Sequence, residues 1–169
     1  MSVKKIVFPV DLAGSSYRIA SRVRSTVEKF HAELHLVKIA ETFKGYDTFF
    51  IPHRSLDLME VEDIALAKRD LEEFADKYFE DFPGLKLVVL RGNPVKQILK
   101  YIASEGIDMV IVAANDRSFL DRKIFGEMAE RIARTSPVPV RIINPFEVEE
   151  LPFPAPVAHP VLTTHSPGH

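Results

Sequence analysis

A chain of 169 residues, 46% hydrophobic and 27% charged, is typical of one globular domain with its own buried core. Its net charge of −2 provides no electrostatic attraction to nucleic acid or to an anionic membrane, so we expect neither partner. The lack of cysteine excludes disulfides, thiolate metal sites and thiol nucleophiles. The apolar run after the two N-terminal lysines is too short for a signal peptide or a membrane span, which predicts a cytoplasmic location.

The first half of the chain alternates between strand and helix patterns. The runs KKIVFPV (4–10) and ELHLVKI (33–39) predict the first two strands. A helix is predicted over 15–30, with Ser15 or Ser16 as its cap. Its predicted buried face consists of Ile19, Ala20, Val23, Val27 and Phe30. A longer helix is predicted over 57–82, ended by the Pro-Gly pair that follows. Its predicted buried face consists of Ile64, Leu71, Phe74, Ala75, Tyr78 and Phe82.

The second half repeats the same alternation. LKLVVL (85–90), MVIVAA (109–114) and VPVRII (138–143) predict strands three to five. Asn93 followed by Pro94 predicts the cap and first residue of the third helix. The buried positions of helices three and four are predicted from helical spacing: Val95, Ile98, Leu99, Ile102, Met128, Ala129, Ile132 and Ala133.

This alternation predicts an α/β domain over residues 1–144 with a single doubly wound, parallel five-stranded sheet. The order 3-2-1-4-5 is preferred, and it places the carboxyl ends of strands one and four at the crevice where such sheets bind ligands.

Two stretches lie outside the repeat of strands and helices. The aromatic-rich segment 41–56 is interpreted as a lid, a contact patch or simple packing over the sheet. The Pro/His-rich tail 145–169 is predicted to be extended or disordered.

The junction between strand four and helix four, IVAANDRSFLDRKIFGEMA (111–129), stands where a parallel α/β protein usually cradles a phosphate on glycine-rich backbone. Here it carries two acids, Asp116 and Glu127, and a single glycine, Gly126. Glycine lets backbone amides approach a phosphate, and a Cβ or a negative charge opposes that approach.

No catalytic set emerges from the remaining candidates, and we expect no enzyme activity. An aspartyl phosphatase usually needs a second acid two residues after Asp11, where Ala13 stands. A receiver needs an acid at the end of strand three, where Arg91 stands. The histidines have no metal-ligand spacing, so no metal site is expected, and His35 is predicted to face a helix or solvent.

These patterns together resemble the universal stress protein family. The resemblance covers residues 3–144 and is carried by four motifs, KKIVFPVD, RGNPVKQIL, IDMVIVAANDRS and GEMAERIA followed by SPVPVRII. It implies a Rossmann-like fold of the adenine nucleotide alpha hydrolase type. It also implies a non-enzymatic stress-response module, often a homodimer through antiparallel pairing of the last strands.

The resemblance also implies positions for a nucleotide site. The adenine and ribose contacts of nucleotide-binding members map to Pro9, Val10, Asp11 and Ile39. Their glycine motif maps to Ala113, Asp116 and Gly126, and the hydroxyl residue that follows it maps to Glu127. One of those four elements, Gly126, is kept, so the site is interpreted as vestigial at its phosphate end.

Electrostatics favours the same interpretation. A carboxylate about 4 Å from a phosphate oxygen costs roughly 4 kcal/mol at an effective dielectric of about 20. Two of them outweigh the contribution of a helix N-terminus, which is at most about 2 kcal/mol. We therefore expect the acids to occupy the anion site from within, with no ATP bound and no cofactor. The alternative is an adenine-nucleotide switch that binds AMP, or ATP with Mg²⁺, in the crevice.

The last strand is predicted to be the contact with a second copy. Val138, Val140 and Ile142 give it an apolar edge, and an uncovered apolar edge is a liability. A homodimer through this strand is therefore expected, with the tail reaching across to the partner copy. An additional protein partner is also expected, and its identity is left open.

Overall fold

The computed structural model describes residues 2–11, 15–40, 53–114 and 127–145, with the side chains of 53–59 left out. Segment 41–52, most of the junction loop, and the tail from 146 onward lie outside these ranges, as do the predictions made for them. No helix in the described ranges is both long and apolar enough to cross a membrane.

Nine elements alternate in chain order within the described residues. The strands are β1 (Lys5–Pro9), β2 (Glu33–Ala40), β3 (Leu85–Arg91), β4 (Met109–Ala113) and β5 (Val140–Ile143). The helices are α1 (Ser16–Phe30), α2 (His53–Phe79), α3 (Pro94–Glu105) and α4 (Glu127–Thr135). Each strand predicted from the sequence is present, as is each predicted helix.

The five strands form one parallel sheet in the order β3-β2-β1-β4-β5, which confirms the predicted topology. Val7 of β1 lies opposite His35 of β2 on one side and Val110 of β4 on the other. The reversal of winding between β1 and β4 leaves a crevice at the carboxyl ends of these strands.

Alternate residues of each strand enter two different cores, because successive side chains point to opposite faces of a sheet. On one face, Ile6, Phe8 and Ile111 pack against α1 and α2. On the other face, Val7 and Val110 pack against Ile98 of α3 and its neighbours in α4. The doubly wound, three-layer arrangement therefore follows from strands that are apolar on both sides.

Local signals place the start of α3 and the end of α2. The Asn93 side chain accepts a hydrogen bond from the Lys96 amide at 3.1 Å, and Pro94 occupies the first turn, as predicted. Helix α2 ends at Phe79, three residues earlier than predicted. Phe82 is nevertheless buried, because a turn at Asp81 with φ 55° carries it back toward the core.

Four details of the sequence prediction are wrong, the first being Ala133 of α4, which was predicted to be buried and is exposed. Ile64 and Phe30, assigned to buried helix faces, are 39% and 42% exposed. Residues 53–56, assigned to the loop before the second helix, form the first turn of α2. Phe30 is the last residue of α1, whereas Ile64 lies in the interior of α2, so apolar residues at helical spacing are exposed both at a helix end and within a helix.

The Asp108 carboxylate stabilises the amino end of the sheet. Asp108 Oδ2 accepts hydrogen bonds from the backbone N–H groups of Lys4 at 2.8 Å and Lys5 at 2.9 Å. The Asp108 amide in turn donates to the Lys5 carbonyl at 2.9 Å. These bonds hold the pKa of Asp108 below its ordinary value and tie the start of β1 to the start of β4.

Candidate functional site

A cavity of about 420 Å³ lies at the carboxyl end of the sheet. Its walls come from the ends of β1, β2 and β4 and from the first turns of α1, α3 and α4. A volume of this size is in the range of small-molecule pockets. The topology alone explains its position, since the helices before and after the winding reversal diverge there.

About half of the cavity wall is apolar. Val10 and Val37 are buried at its base, and Pro94 and Val95 bring the first turn of α3 to one side. Ala113 and the buried Ala114 end β4 with small side chains, which leaves space above the sheet. Such a floor suits a flat ring or a sugar better than an exposed charge.

The polar part of the wall begins at the end of β1. The Asp11 backbone N–H donates to the Ser16 hydroxyl at 2.8 Å, and Ser16 is 2% exposed. This bond turns the chain from β1 toward α1 and places Asp11 on the cavity wall. Ser15 stands at the N-cap position of α1 but makes no side-chain capping bond, so the serine that organises the turn is Ser16.

Charged side chains also line the cavity. Lys38 of β2 and Arg131 of α4 supply positive charge, and Glu127 supplies negative charge beside Asp11. The Glu127 side chain is 87% exposed, and its Oε1 lies 3.8 Å from Arg131 Nη1. A group so exposed is screened by solvent and partly balanced by the arginine.

The structure brings together six of the eight residues predicted for the nucleotide site. They are Pro9, Val10, Asp11, Ile39, Ala113 and Glu127, and all of them line the cavity. The other two, Asp116 and Gly126, lie outside the described residues. The occupation of the anion site by Asp116 and Glu127 stays a prediction; Glu127 lines the cavity with its side chain 87% exposed.

Lys38 and Arg131 were missed by sequence reasoning. Lys38 sits between the core residue Val37 and the predicted contact Ile39, so strand alternation alone gave it no role. Arg131 lies four residues after Glu127, and this i,i+4 spacing was the available signal for an acid-base pair on one helix face. Arg91, which argued against a receiver, forms an ion pair with Glu60 of α2.

Metal ligands are not assembled at this cavity by the described part of the chain. No group of three His, Asp or Glu side chains within residues 2–11, 15–40, 53–114 and 127–145 could hold a metal ion. His35, predicted to face a helix or solvent, faces α3, where it contacts Tyr101.

Comparisons of the sequence with known proteins match this chain to one protein family. The model of the universal stress protein family matches residues 2–144. A universal stress protein of Methanocaldococcus jannaschii is 22% identical over 145 residues, covering 83% of this chain and 82% of the relative.

Solved structures share the fold. The universal stress protein UspA from Lactobacillus plantarum superposes with a TM-score of 0.66 at 18% identity, over 85% of this chain and 99% of that one. A universal stress protein in complex with cAMP has a TM-score of 0.60 at 17% identity, over 85% and 98% of the two chains. At these identities the likeness demonstrates a common architecture.

Proposed function

This chain belongs to the universal stress protein family, and we propose that it is a non-enzymatic stress-response module that acts as a homodimer and does not use ATP. The dimer forms through β5, and the module works through protein contacts made in that state. The single observation that carries the dimer is the outer edge of β5.

The backbone N–H and C=O groups of two β5 residues are not used in pairing with β4. The Val110 N–H donates to the Pro139 carbonyl at 3.0 Å, and the Ala114 N–H donates to the Ile143 carbonyl at 2.9 Å. Residues of a parallel edge strand bond to their one neighbour alternately. The N–H and C=O groups of Val140 and Ile142 therefore point toward the outer edge, where a second strand can pair.

The side chains along this edge support the same contact. Val138, Val140 and Ile142 are half-buried and pack against the core on the α3/α4 side. Four strand residues bury too little area for a stable dimer, which needs about 1,200–2,000 Å² in total. We propose that the proline-rich tail, which follows β5 directly, supplies part of the remainder by lying across the partner copy.

The dimer is tested by removing one outward N–H group. Ile142→Pro deletes that donor and spares the bonds to β4, since proline is tolerated on edge strands. Ile142→Ala is the matched control, because it loses the same side chain but keeps the N–H. Sedimentation at micromolar concentration should give a dimer for the wild type and for Ile142→Ala, and a monomer for Ile142→Pro. A wild-type monomer at that concentration contradicts the proposal.

A second candidate function is favoured by the open cavity: binding of an adenine mononucleotide as a regulatory ligand. The predicted adenine and ribose contacts Pro9, Asp11 and Ile39 line a space of about 420 Å³. A solved family member has been crystallised with cAMP. A mononucleotide carries one phosphate, and Lys38 and Arg131 of the cavity wall offer it positive charge.

Calorimetric titration with cAMP, AMP and ATP, each with and without Mg²⁺, separates the two candidates. Mononucleotide binding tighter than about 10 μM, weakened at least tenfold by Asp11→Ala, supports the second. Asp76→Ala, on the exposed face of α2, is the control for a lost acid outside the cavity. Tight ATP binding contradicts the first candidate, and no binding of any nucleotide contradicts the second.

A further inference from the structure

A buried polar pair joins β2 to α3 on the face of the sheet away from α1 and α2. His35 is 1% exposed, and its neighbours on this face are Val7 and Val37, which are fully buried. Its Nδ1 lies 2.8 Å from the hydroxyl oxygen of Tyr101, and the two rings meet edge-on at 5.7 Å. A histidine in a valine-rich layer is costly to bury unless both of its nitrogens are satisfied.

The second nitrogen of His35 is not satisfied. Nε2 is buried without a hydrogen-bond partner, and Glu33 Oε1 lies 3.6 Å away from it. A lone pair on Nε2 would face the carboxylate and be repelled, whereas an N–H would be attracted. The geometry thus favours the tautomer with the proton on Nε2, in which Nδ1 accepts the hydrogen bond donated by Tyr101.

Four charged groups surround this pair from the packed elements. Glu33 and Glu105 favour a charged imidazole, and Lys86 and Lys5 oppose it. The cations are themselves engaged, since Lys86 Nζ lies 2.9 Å from Glu105 Oε2 and Lys5 Nζ donates to the Glu105 carbonyl at 3.0 Å. Burial is the largest influence, and it lowers the pKa of His35 below its ordinary value.

We propose that the His35–Tyr101 pair is a proton-operated latch: uptake of a proton by His35 in mild acid loosens α3 and thereby alters the cavity at the carboxyl end of the sheet. Protonation turns Nδ1 from acceptor to donor, so the Tyr101 hydroxyl must turn and accept. It also leaves a charge in an apolar layer, where Glu33, 45% exposed, gives incomplete compensation.

The two elements that carry the latch both lead to the cavity. Along β2, His35 lies four residues before Ile39, about 13 Å at the rise of a strand. Along α3, Tyr101 lies six residues after Val95, about 9 Å at the rise of a helix. Ile39 and Val95 both line the cavity, so displacement of α3 against β2 changes the cavity wall. This last step rests on the proposed binding of a mononucleotide.

The direction of the pH effect follows from the lowered pKa. Between the ordinary value of about 6.5 and the lowered one, the unfolded chain binds more protons than the folded chain. The stability contributed by neutral His35 is therefore present above about pH 6.5 and lost as pH falls below it. The physiological consequence is a domain whose α3 responds to acidification.

The test combines three measurements on the full chain. Nitrogen-15 NMR of the His35 ring should give the Nε2–H tautomer and a titration midpoint below about 6.5. Hydrogen exchange of α3 amides, corrected for intrinsic pH dependence, should rise several-fold between pH 7.5 and 5.0. The rise should be absent in His35→Gln and retained in His31→Asn, the control at an exposed histidine with φ 52°.

Binding of cAMP provides the readout at the cavity, because its diester phosphate keeps one charge across this pH range. Its affinity should fall several-fold from pH 7.5 to 5.0 in the wild type and stay level in His35→Gln. An unchanged affinity with faster α3 exchange overturns the coupling. A midpoint at or above 6.5, or equal exchange in both proteins, overturns the latch. Absence of cAMP binding at every pH contradicts the proposed ligand and leaves the NMR and exchange results to decide the latch.

Discussion

The two ends of the sheet use their charged residues in opposite ways. At the amino end, Asp108 is bonded to two backbone N–H groups, and Lys86 and Glu105 pair at 2.9 Å. At the carboxyl end, Asp11, Lys38, Glu127 and Arg131 surround an open cavity. The amino end satisfies its charges internally, and the carboxyl end keeps several of them beside space that a ligand can enter.

This contrast assigns stability and binding to different ends of the same strands. The hydrogen-bonded and ion-paired groups at the amino end hold β1, β4 and α3 together. Loss of these groups should therefore lower the free energy of unfolding. Groups at the cavity are more exposed, so their loss should change affinity more than stability. Parallel α/β sheets permit this division because all strand carboxyl ends, and the loops that follow them, lie on one side.

The largest expected effect is at the buried pair. Tyr101→Ala should lower the free energy of unfolding by about 3–5 kcal/mol, because it removes a buried ring and leaves a cavity. Ile39→Ala, at the half-exposed cavity wall, should cost at most about 1.5 kcal/mol. Urea denaturation measures both.

Tyr101→Phe divides the first effect into packing and hydrogen bonding, and should cost about 1 kcal/mol. Equal losses for Tyr101→Ala and Ile39→Ala would show that the two ends do not differ in the way the contacts imply.

A smaller effect is expected at Asp108. Asp108→Ala should cost about 1.5–3 kcal/mol at pH 7, since it removes a charged acceptor from two backbone donors. The pKa of Asp108 is lowered by those bonds, so its contribution is present above the ordinary value of about 3.9 and is lost as pH falls through that value toward the lowered one. The variant should therefore show a weaker loss of stability with acid, measured by urea midpoints from pH 7 to pH 3.

Asp108→Asn keeps one acceptor oxygen without the charge and should lie between the two proteins. A variant with the same acid dependence as the wild type would show that other carboxylates control this pH range. The effect is separable from that of His35, whose window lies near pH 6.5 and below.

The fold was predictable from the sequence because its signals are local. Strands apolar on both faces indicated a covered parallel sheet, and the Asn93-Pro94 pair fixed the start of α3. The errors concern the extent of the buried helix faces, since Phe30 at the end of α1 and Ile64 within α2 keep the helical period and are nevertheless exposed. Periodicity predicts which face is apolar, and the tertiary structure decides how far that face is covered.

The candidate site was predictable only in part. The strand-end residues Pro9, Val10, Asp11 and Ala113 were accessible to prediction, because the topology brings carboxyl ends together. Lys38 and Arg131 were not, since their role depends on side-chain directions at a strand end and on the second turn of a helix. The His35–Tyr101 pair joins residues 66 positions apart, and no local pattern indicates such a contact.

The smallest expected effect is at Glu127, and it tests the carboxyl end most directly. The Glu127 side chain is 87% exposed and therefore largely surrounded by water. Its repulsion of a phosphate about 4 Å away should be closer to the value of about 1 kcal/mol in bulk water than to the value of roughly 4 kcal/mol at an effective dielectric of about 20. Glu127→Gln should therefore raise affinity for ATP or AMP by about fivefold at most, and less at high salt, with the free energy of unfolding changed by about 0.5 kcal/mol or less.

Glu130→Gln is the matched control. Glu130 lies in the same helical turn as Glu127 but does not line the cavity, and its carboxylate lies 2.8 Å from the Arg134 guanidinium. Titration calorimetry of the two variants at low and high salt measures the difference. A gain of a hundredfold or more in Glu127→Gln would mean that the carboxylate is desolvated when ligand binds, and the exclusion of polyphosphates would then rest on Glu127 itself.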